Sequence, residues 1–118
     1  LVGSLAGLVA LPYQAVYSGT KAFIQNFGLA LRAEWAGRVS VGVFAPGGIK
    51  TEMTEIEALS KLQGALADVD TVAGDLVRFY CSGKALRVPG ASNRAAVMAA
   101  KFLPRPLLSQ LMKRVYRP

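Results

Sequence analysis

The run Val39-Ser40-Val41-Gly42-Val43-Phe44-Ala45 constrains the fold more than any other stretch of the chain. It is rich in β-branched residues and nearly unbroken in apolar character, the pattern of a parallel strand covered on both faces. Pro46 ends it, since proline has no N–H to offer a neighbouring strand. Such a strand needs partners and covering helices, and the flanking sequence predicts both. Upstream, Phe23, Phe27, Ala30, Leu31 and Trp35 recur at three- and four-residue steps and predict a helix over 14–35. Gly37 suits its C-terminus. The apolar stripe is expected to form core and subunit interface. Leu1-Val2-Gly3 reads as the end of a second buried strand, and Ala85 to Val88 as a short third one before Pro89-Gly90. The class is α/β.

Further elements follow from spacing and punctuation. Ile56, Leu59, Leu62 and Leu66 fall at helical intervals after Thr51. Glu52, Glu55 and Glu57 crowd the start of that segment, where acids suit a helix N-terminus and a solvated face better than a catalytic pair. Asp70-Thr71 offers a cap for a helix through Ser82. Ser92 or Asn93 offers another for a helix to Leu103. Pro104-Arg105-Pro106 breaks that helix. A last one, Leu107 to Tyr116, gathers Leu107, Leu108, Leu111, Met112 and Val115 on one face.

With 118 residues the chain makes at most one domain, and its 53% apolar composition argues against disorder. It has no histidine, which excludes Ser-His-Asp and Cys-His triads and the common zinc sites. Its single cysteine, Cys81, has no partner for an internal disulfide, so a reducing, cytoplasmic setting is expected. Cys81 is expected to be a buried, inert thiol in an apolar helix. The apolar start, Leu1 to Pro12, lacks the basic flank of a signal peptide and is too short to span a bilayer. Charge is uneven: residues 1–75 carry five basic and seven acidic side chains, and residues 76–118 carry nine basic and none acidic. A solvated basic face is the simplest account of that tail.

The chemistry-bearing residues stand on either side of the predicted helix start. In Tyr17-Ser18-Gly19-Thr20-Lys21, positions i and i+4 share a face, so phenol and ammonium point into one site. A nearby cation favours the phenolate and lowers the tyrosine pKa, which suits a general acid/base for a carbonyl/alcohol pair. Ser4 lies upstream in Ser-x-x-Gly, just past a strand end, where ligands of open α/β sheets bind. A turn serine capping local backbone is the competing role for Ser4. Pro46-Gly47-Gly48-Ile49-Lys50-Thr51 follows downstream. Its glycines would let backbone approach a flat ring closely, or else simply make a tight turn.

In this order and spacing the set resembles the short-chain dehydrogenase/reductase family, from Leu1 to about Gly90. The resemblance implies the C-terminal portion of a doubly wound, Rossmann-type parallel sheet over residues 1–90. A basic helical extension would follow over 91–118. It implies Tyr17 as the general acid/base and a cofactor-binding residue, and Lys21 as the residue that lowers its pKa and holds the nicotinamide ribose. It implies Ser4 as the holder of the substrate oxygen. Pro46 and Gly47 would line the nicotinamide face, and Ile49 and Thr51 would contact its carboxamide. The implied cofactor is NAD or NADP. The segment from Thr51 to Leu66 would be a mobile lid over a hydrophobic carbonyl or alcohol substrate.

No Gly-x-x-x-Gly-x-Gly turn follows a first strand, and the chain begins with Leu. The expectation is therefore a fragment lacking the dinucleotide-binding half and inactive by itself. Homo-oligomerisation through the 14–35 helix is expected. Two other classes compete: a non-catalytic remnant that acts as a dimerisation module, and a basic module for a membrane surface. Packing of the last helix on protein is favoured over peripheral membrane contact. Nucleic acid is not expected, since aromatic and basic residues do not interleave.

Overall fold

Three segments run as parallel neighbours through the centre of the computed structural model, which describes residues 1–51 and 66–116. Strand β1 (Val43–Phe44) pairs with β2 (Leu86–Arg87), with Val43 opposite Leu86 and Phe44 opposite Arg87. On its other side Phe44 bridges in parallel to Val2. The N–H of Gly3 donates to Phe44 O at 2.8 Å, and that of Ala45 donates to Arg87 O at 2.8 Å. The central segment is thus hydrogen-bonded on both edges. Val43, Phe44 and Ala45 are fully buried, as the apolar run requires.

Alternation sends successive side chains to opposite faces. Phe44 meets Val72 and Phe79 of helix α2 (Val69–Ser82), its ring centroid 5.8 Å from that of Phe79. Val43 faces helix α1 (Ala15–Glu34), which crosses so closely that a Cβ on Gly28 would lie 2.5 Å from Val43 Cγ2. Arg32, near the end of α1, donates to Val41 O at 2.6 Å and to Gly83 O at 2.9 Å. Those bonds tie the helix to the strand's entry and to the end of α2. Helices α3 (Ala91–Phe102) and α4 (Arg105–Val115) follow, and neither buries a residue. Among the described residues no helix is long and apolar enough to cross a membrane.

Several sequence expectations change. The strand expected over 39–45 narrows to Val43–Phe44, because its neighbours hydrogen-bond to it only from Gly42 to Pro46. The α2 cap is Asp68, whose carboxylate accepts from Asp70 N–H at 3.1 Å and Thr71 N–H at 3.2 Å; Asp70 instead sits in the first turn, where its charge suits the helix dipole. Phe23, Phe27 and Trp35 are not core but exposed, with Phe23 and Phe27 stacked at 5.5 Å. The face that α1 buries carries Ser18, Gln25 and Gly28, since a close helix–strand approach leaves no room for bulk. Cys81 is exposed, not buried: the apolar side of α2 turns Val72 and Phe79 inward and leaves Cys81 in solvent. The expected helix after Thr51, with Glu52, Glu55, Glu57, Ile56, Leu59 and Leu62, lies outside the described residues.

Candidate active site

The parallel register places Ser4, Pro46 and Pro89 side by side, each two residues beyond a paired position, at the C-terminal edge of the three segments. Ser4 is buried there. Its Oγ accepts the N–H of Ala6 at 3.1 Å and caps the short 3₁₀ turn Leu5–Gly7. The turn-capping role is real, yet it uses only a lone pair. Among the described residues nothing accepts its hydroxyl proton, which can go to a ligand oxygen. The next residue, Leu5, donates its N–H to Pro46 O at 2.8 Å, which locks the serine turn against the Pro46 segment.

Two residues fasten that turn to α1. Ser18 Oγ lies 2.9 Å from Ala6 O and 3.0 Å from Val9 O, and its single proton serves both. Gly7 rests directly on the helix backbone: a Cβ there would lie 2.6 Å from both C and O of Lys21 and 2.9 Å from Ala22 N. The glycine of Ser-x-x-Gly is therefore a contact requirement. It brings the loop after Ser4 onto the helix turn that carries Tyr17 and Lys21. Those two share a face, as their spacing predicts: Lys21 Nζ stands 5.7 Å from the Tyr17 ring centroid, over its face. The Tyr17 side is open, with 47% of the residue exposed.

The segment after β1 is held from several directions. Gly48 O accepts from Ala67 N–H at 3.0 Å, and Lys50 N–H donates to Ala67 O at 2.9 Å, around a parallel bridge between Ile49 and Ala67. In such a bridge the flanking residues make both bonds, so the N–H and C=O of Ile49 face away from Ala67. Among the described residues neither group has a hydrogen-bond partner. One backbone donor beside one backbone acceptor matches a primary carboxamide, which offers the complementary pair. The residues present thus fit a nicotinamide at Ile49. Thr51 is exposed at the end of the same segment.

The glycines here also lie close to side chains from other segments. A Cβ on Gly47 would lie 2.7 Å from Asn93 Nδ2, and one on Gly48 would lie 2.5 Å from Leu66 Cδ2. Both make room for protein atoms.

Electrostatics adds two features. Asp75, buried on α2, takes Arg87 through both carboxylate oxygens at 3.0–3.2 Å and Arg78 at 3.2 Å. The Arg87 hydrogen bonds hold its carboxyl below the usual range against the opposing effect of burial, with Arg78 assisting. Burial raises the phenol of Tyr116, and the charge of an ionised Tyr17 raises it further. The end of the last helix therefore lies within electrostatic reach of Tyr17.

Ser18 and Gly7 carry the site's assembly, and sequence reasoning assigned neither that task. The signal for Ser18 is its place beside Tyr17 inside the pentapeptide. Tyr116 has no local signal at all, since only the folded chain brings it near.

A family profile described as short chain dehydrogenase matches residues 1–61. Tetrahydroxynaphthalene reductase of Pyricularia oryzae is 46% identical over 55 residues, 45% of this chain and 19% of that protein. A 3-oxoacyl-(acyl-carrier-protein) reductase of Haemophilus influenzae is 38% identical over 69 residues, 58% of this chain and 28% of that protein. An uncharacterised short-chain type dehydrogenase/reductase of Sinorhizobium fredii is 33% identical over 103 residues, 77% of this chain and 19% of that protein. No solved structure shows a significant match. The chain belongs to the short-chain dehydrogenase family. It spans less than a third of the length of these curated relatives.

Proposed function

We propose that this chain forms the proton-transfer and nicotinamide side of an NAD(P)-dependent oxidoreductase that interconverts a carbonyl and an alcohol. In this reading it belongs to a doubly wound, Rossmann-type sheet. The observation that carries the reading is the fastening of the Ser4 turn to the Tyr17–Lys21 helix by Ser18 and Gly7, beside the Pro46 segment. In this reading three groups of different chemistry act together beside that edge: the Ser4 hydroxyl, the Tyr17 phenol and the Lys21 ammonium.

The bound dinucleotide supplies the hydride. The chain's own residues do the rest. Ser4 donates a hydrogen bond to the substrate oxygen and fixes it before transfer. Tyr17 gives its phenolic proton to that oxygen during reduction and takes it back during oxidation. Lys21 holds positive charge beside the phenolate that remains, and its ammonium donors suit ribose hydroxyls. Ile49 offers its backbone N–H and C=O to the carboxamide. Pro46, Gly47 and Thr51 border that place. Two relatives bear names of reductases, which supports a carbonyl substrate.

The test is Tyr17→Phe in the complete protein. It keeps the ring but has no proton to transfer, so kcat falls by about 10² or more, the usual scale for a general acid/base. Cofactor affinity, measured by fluorescence titration, changes far less. Turnover equal to the parent's removes Tyr17 from the mechanism.

A further inference from the structure

Gly47 lies in the Pro46–Gly48 turn, and nothing in its backbone demands glycine. Among the described residues the glycines with positive φ are Gly37, Gly83 and Gly90; Gly47 is not among them. Its missing side chain is explained by one neighbour. A Cβ at Gly47 would stand 2.7 Å from Asn93 Nδ2 and 3.1 Å from both Asn93 Cγ and Oδ1. Asn93 is itself fixed: Nδ2 donates to Pro89 O at 2.9 Å. It also crowds Gly90, whose Cβ position would be 3.1 Å from the same nitrogen. The carboxamide is therefore wedged between Gly47 and Gly90 at the start of α3. Behind it lies a cavity of about 250 Å³ whose walls include Gly47, Asp75, Arg87 and Pro89. The space left by removing the wedge would open onto that cavity and would not be refilled by packed atoms.

We propose that Asn93 is a positioning residue for the nicotinamide-facing turn. It acts through Gly47 and sets where Pro46 and Ile49 stand relative to the cofactor ring. Gly47 is glycine for Asn93, not for the cofactor. The first turn of the basic helical extension thereby controls cofactor affinity at the site. This rests on the function proposed above, but the wedge has a test that does not.

The experiment is a double-mutant cycle in the complete protein: Gly47→Ala, Asn93→Ala and the pair. Each variant is measured for its Tm without cofactor and for its dinucleotide Kd by fluorescence titration well below the Tm. Gly47→Ala alone lowers the Tm by about 2–4 °C or more, the scale of a modest packing defect in a protein of some 150–250 residues, and raises the Kd about tenfold. Asn93→Ala alone raises the Kd severalfold, because the turn is no longer held. In the pair, alanine at 93 lacks Cγ, Oδ1 and Nδ2, so the new methyl meets none of them. The pair is then no worse than Asn93→Ala alone in either measurement. Additive losses in Tm overturn the wedge. Recovery of Tm without recovery of Kd overturns the claim that Gly47 serves Asn93 and not the cofactor. A parent protein that binds no dinucleotide overturns the proposed function, while the Tm cycle still decides the wedge.

Discussion

Replacing Gly7 with alanine drives a methyl carbon into the backbone of α1. The new carbon would sit 2.6 Å from Lys21 C and O and 2.9 Å from Ala22 N. All three are backbone atoms in a regular helix, so no side-chain rotation relieves the overlap. Restoring the roughly 3.5 Å that two carbon atoms prefer requires a shift of about 0.9 Å. The loop moves, since the helix is anchored at Gly28 against Val43 and at Arg32 against two carbonyls. A shift of that size lengthens the Ser18 bonds to Ala6 O and Val9 O, now 2.9 and 3.0 Å. Overpacking of this kind costs about 1–3 kcal/mol, and each weakened hydrogen bond adds up to about 1 kcal/mol. Stability therefore falls by about 2–4 kcal/mol. Ser4 moves with the loop, and misplacement on the order of 1 Å costs up to about 10² in rate. The assay pairs kcat/KM with thermal unfolding, and Gly19→Ala serves as the control. Gly19 lies in the same motif, yet a Cβ there meets nothing within 4 Å, so alanine should stabilise the helix by about 0.5–1 kcal/mol. Gly7→Ala with parental kcat/KM and Tm would refute the docking of the serine turn on the helix.

Two shorter predictions follow from charge and from exposure. Asp75 has a lowered carboxyl pKa in the folded chain, so its stabilisation is present above the unfolded value of about 3.9 and is lost as pH falls through the lower folded value. Asp75→Asn should lower the Tm at neutral pH and flatten the acid limb of a Tm-against-pH curve; an unchanged acid limb would exclude the Arg87 pairing as its source. We propose that the exposed stacked pair Phe23 and Phe27 of α1 is a contact between copies of the chain; Phe23→Glu with Phe27→Glu should then lower the mass in sedimentation velocity, and an unchanged mass would refute it.

The central strand was legible because burial on both faces makes Val43, Phe44 and Ala45 apolar without a break, although Val39 and Ser40 of the same run are exposed. Its true length was not, because pairing depends on where Leu1–Gly3 and Ala85–Arg87 stop, and those lie about forty residues away on either side. Helix α1 was legible in extent but not in orientation. Large apolar residues usually mark the buried stripe, yet Gly28 and Ser18 are what permit close approach, so the aromatics face outward. The Tyr17–Lys21 pair was legible because both groups ride one helix face at fixed spacing. Gly47 was visible as a glycine, but its contact with Asn93 was hidden, since that residue lies more than forty positions on. Asp68 lost the cap to Asp70-Thr71 in the sequence reading because all three residues are competent caps, and only backbone geometry chooses among them.

Cys81 was expected to be hidden and is not, and that gives the molecule a spectroscopic handle. It is the one thiol of the chain and it is exposed. It sits in the last turn of α2, just before Gly83, whose carbonyl Arg32 holds. That is the strand-entry edge of the sheet, opposite the edge that bears Ser4 and Pro46. A maleimide dye or nitroxide placed there reports on the joint between α1, β1 and α2 without occupying the ligand side. Loosening of Arg32 would change the probe's tumbling before any global melt, so one label separates local opening from unfolding.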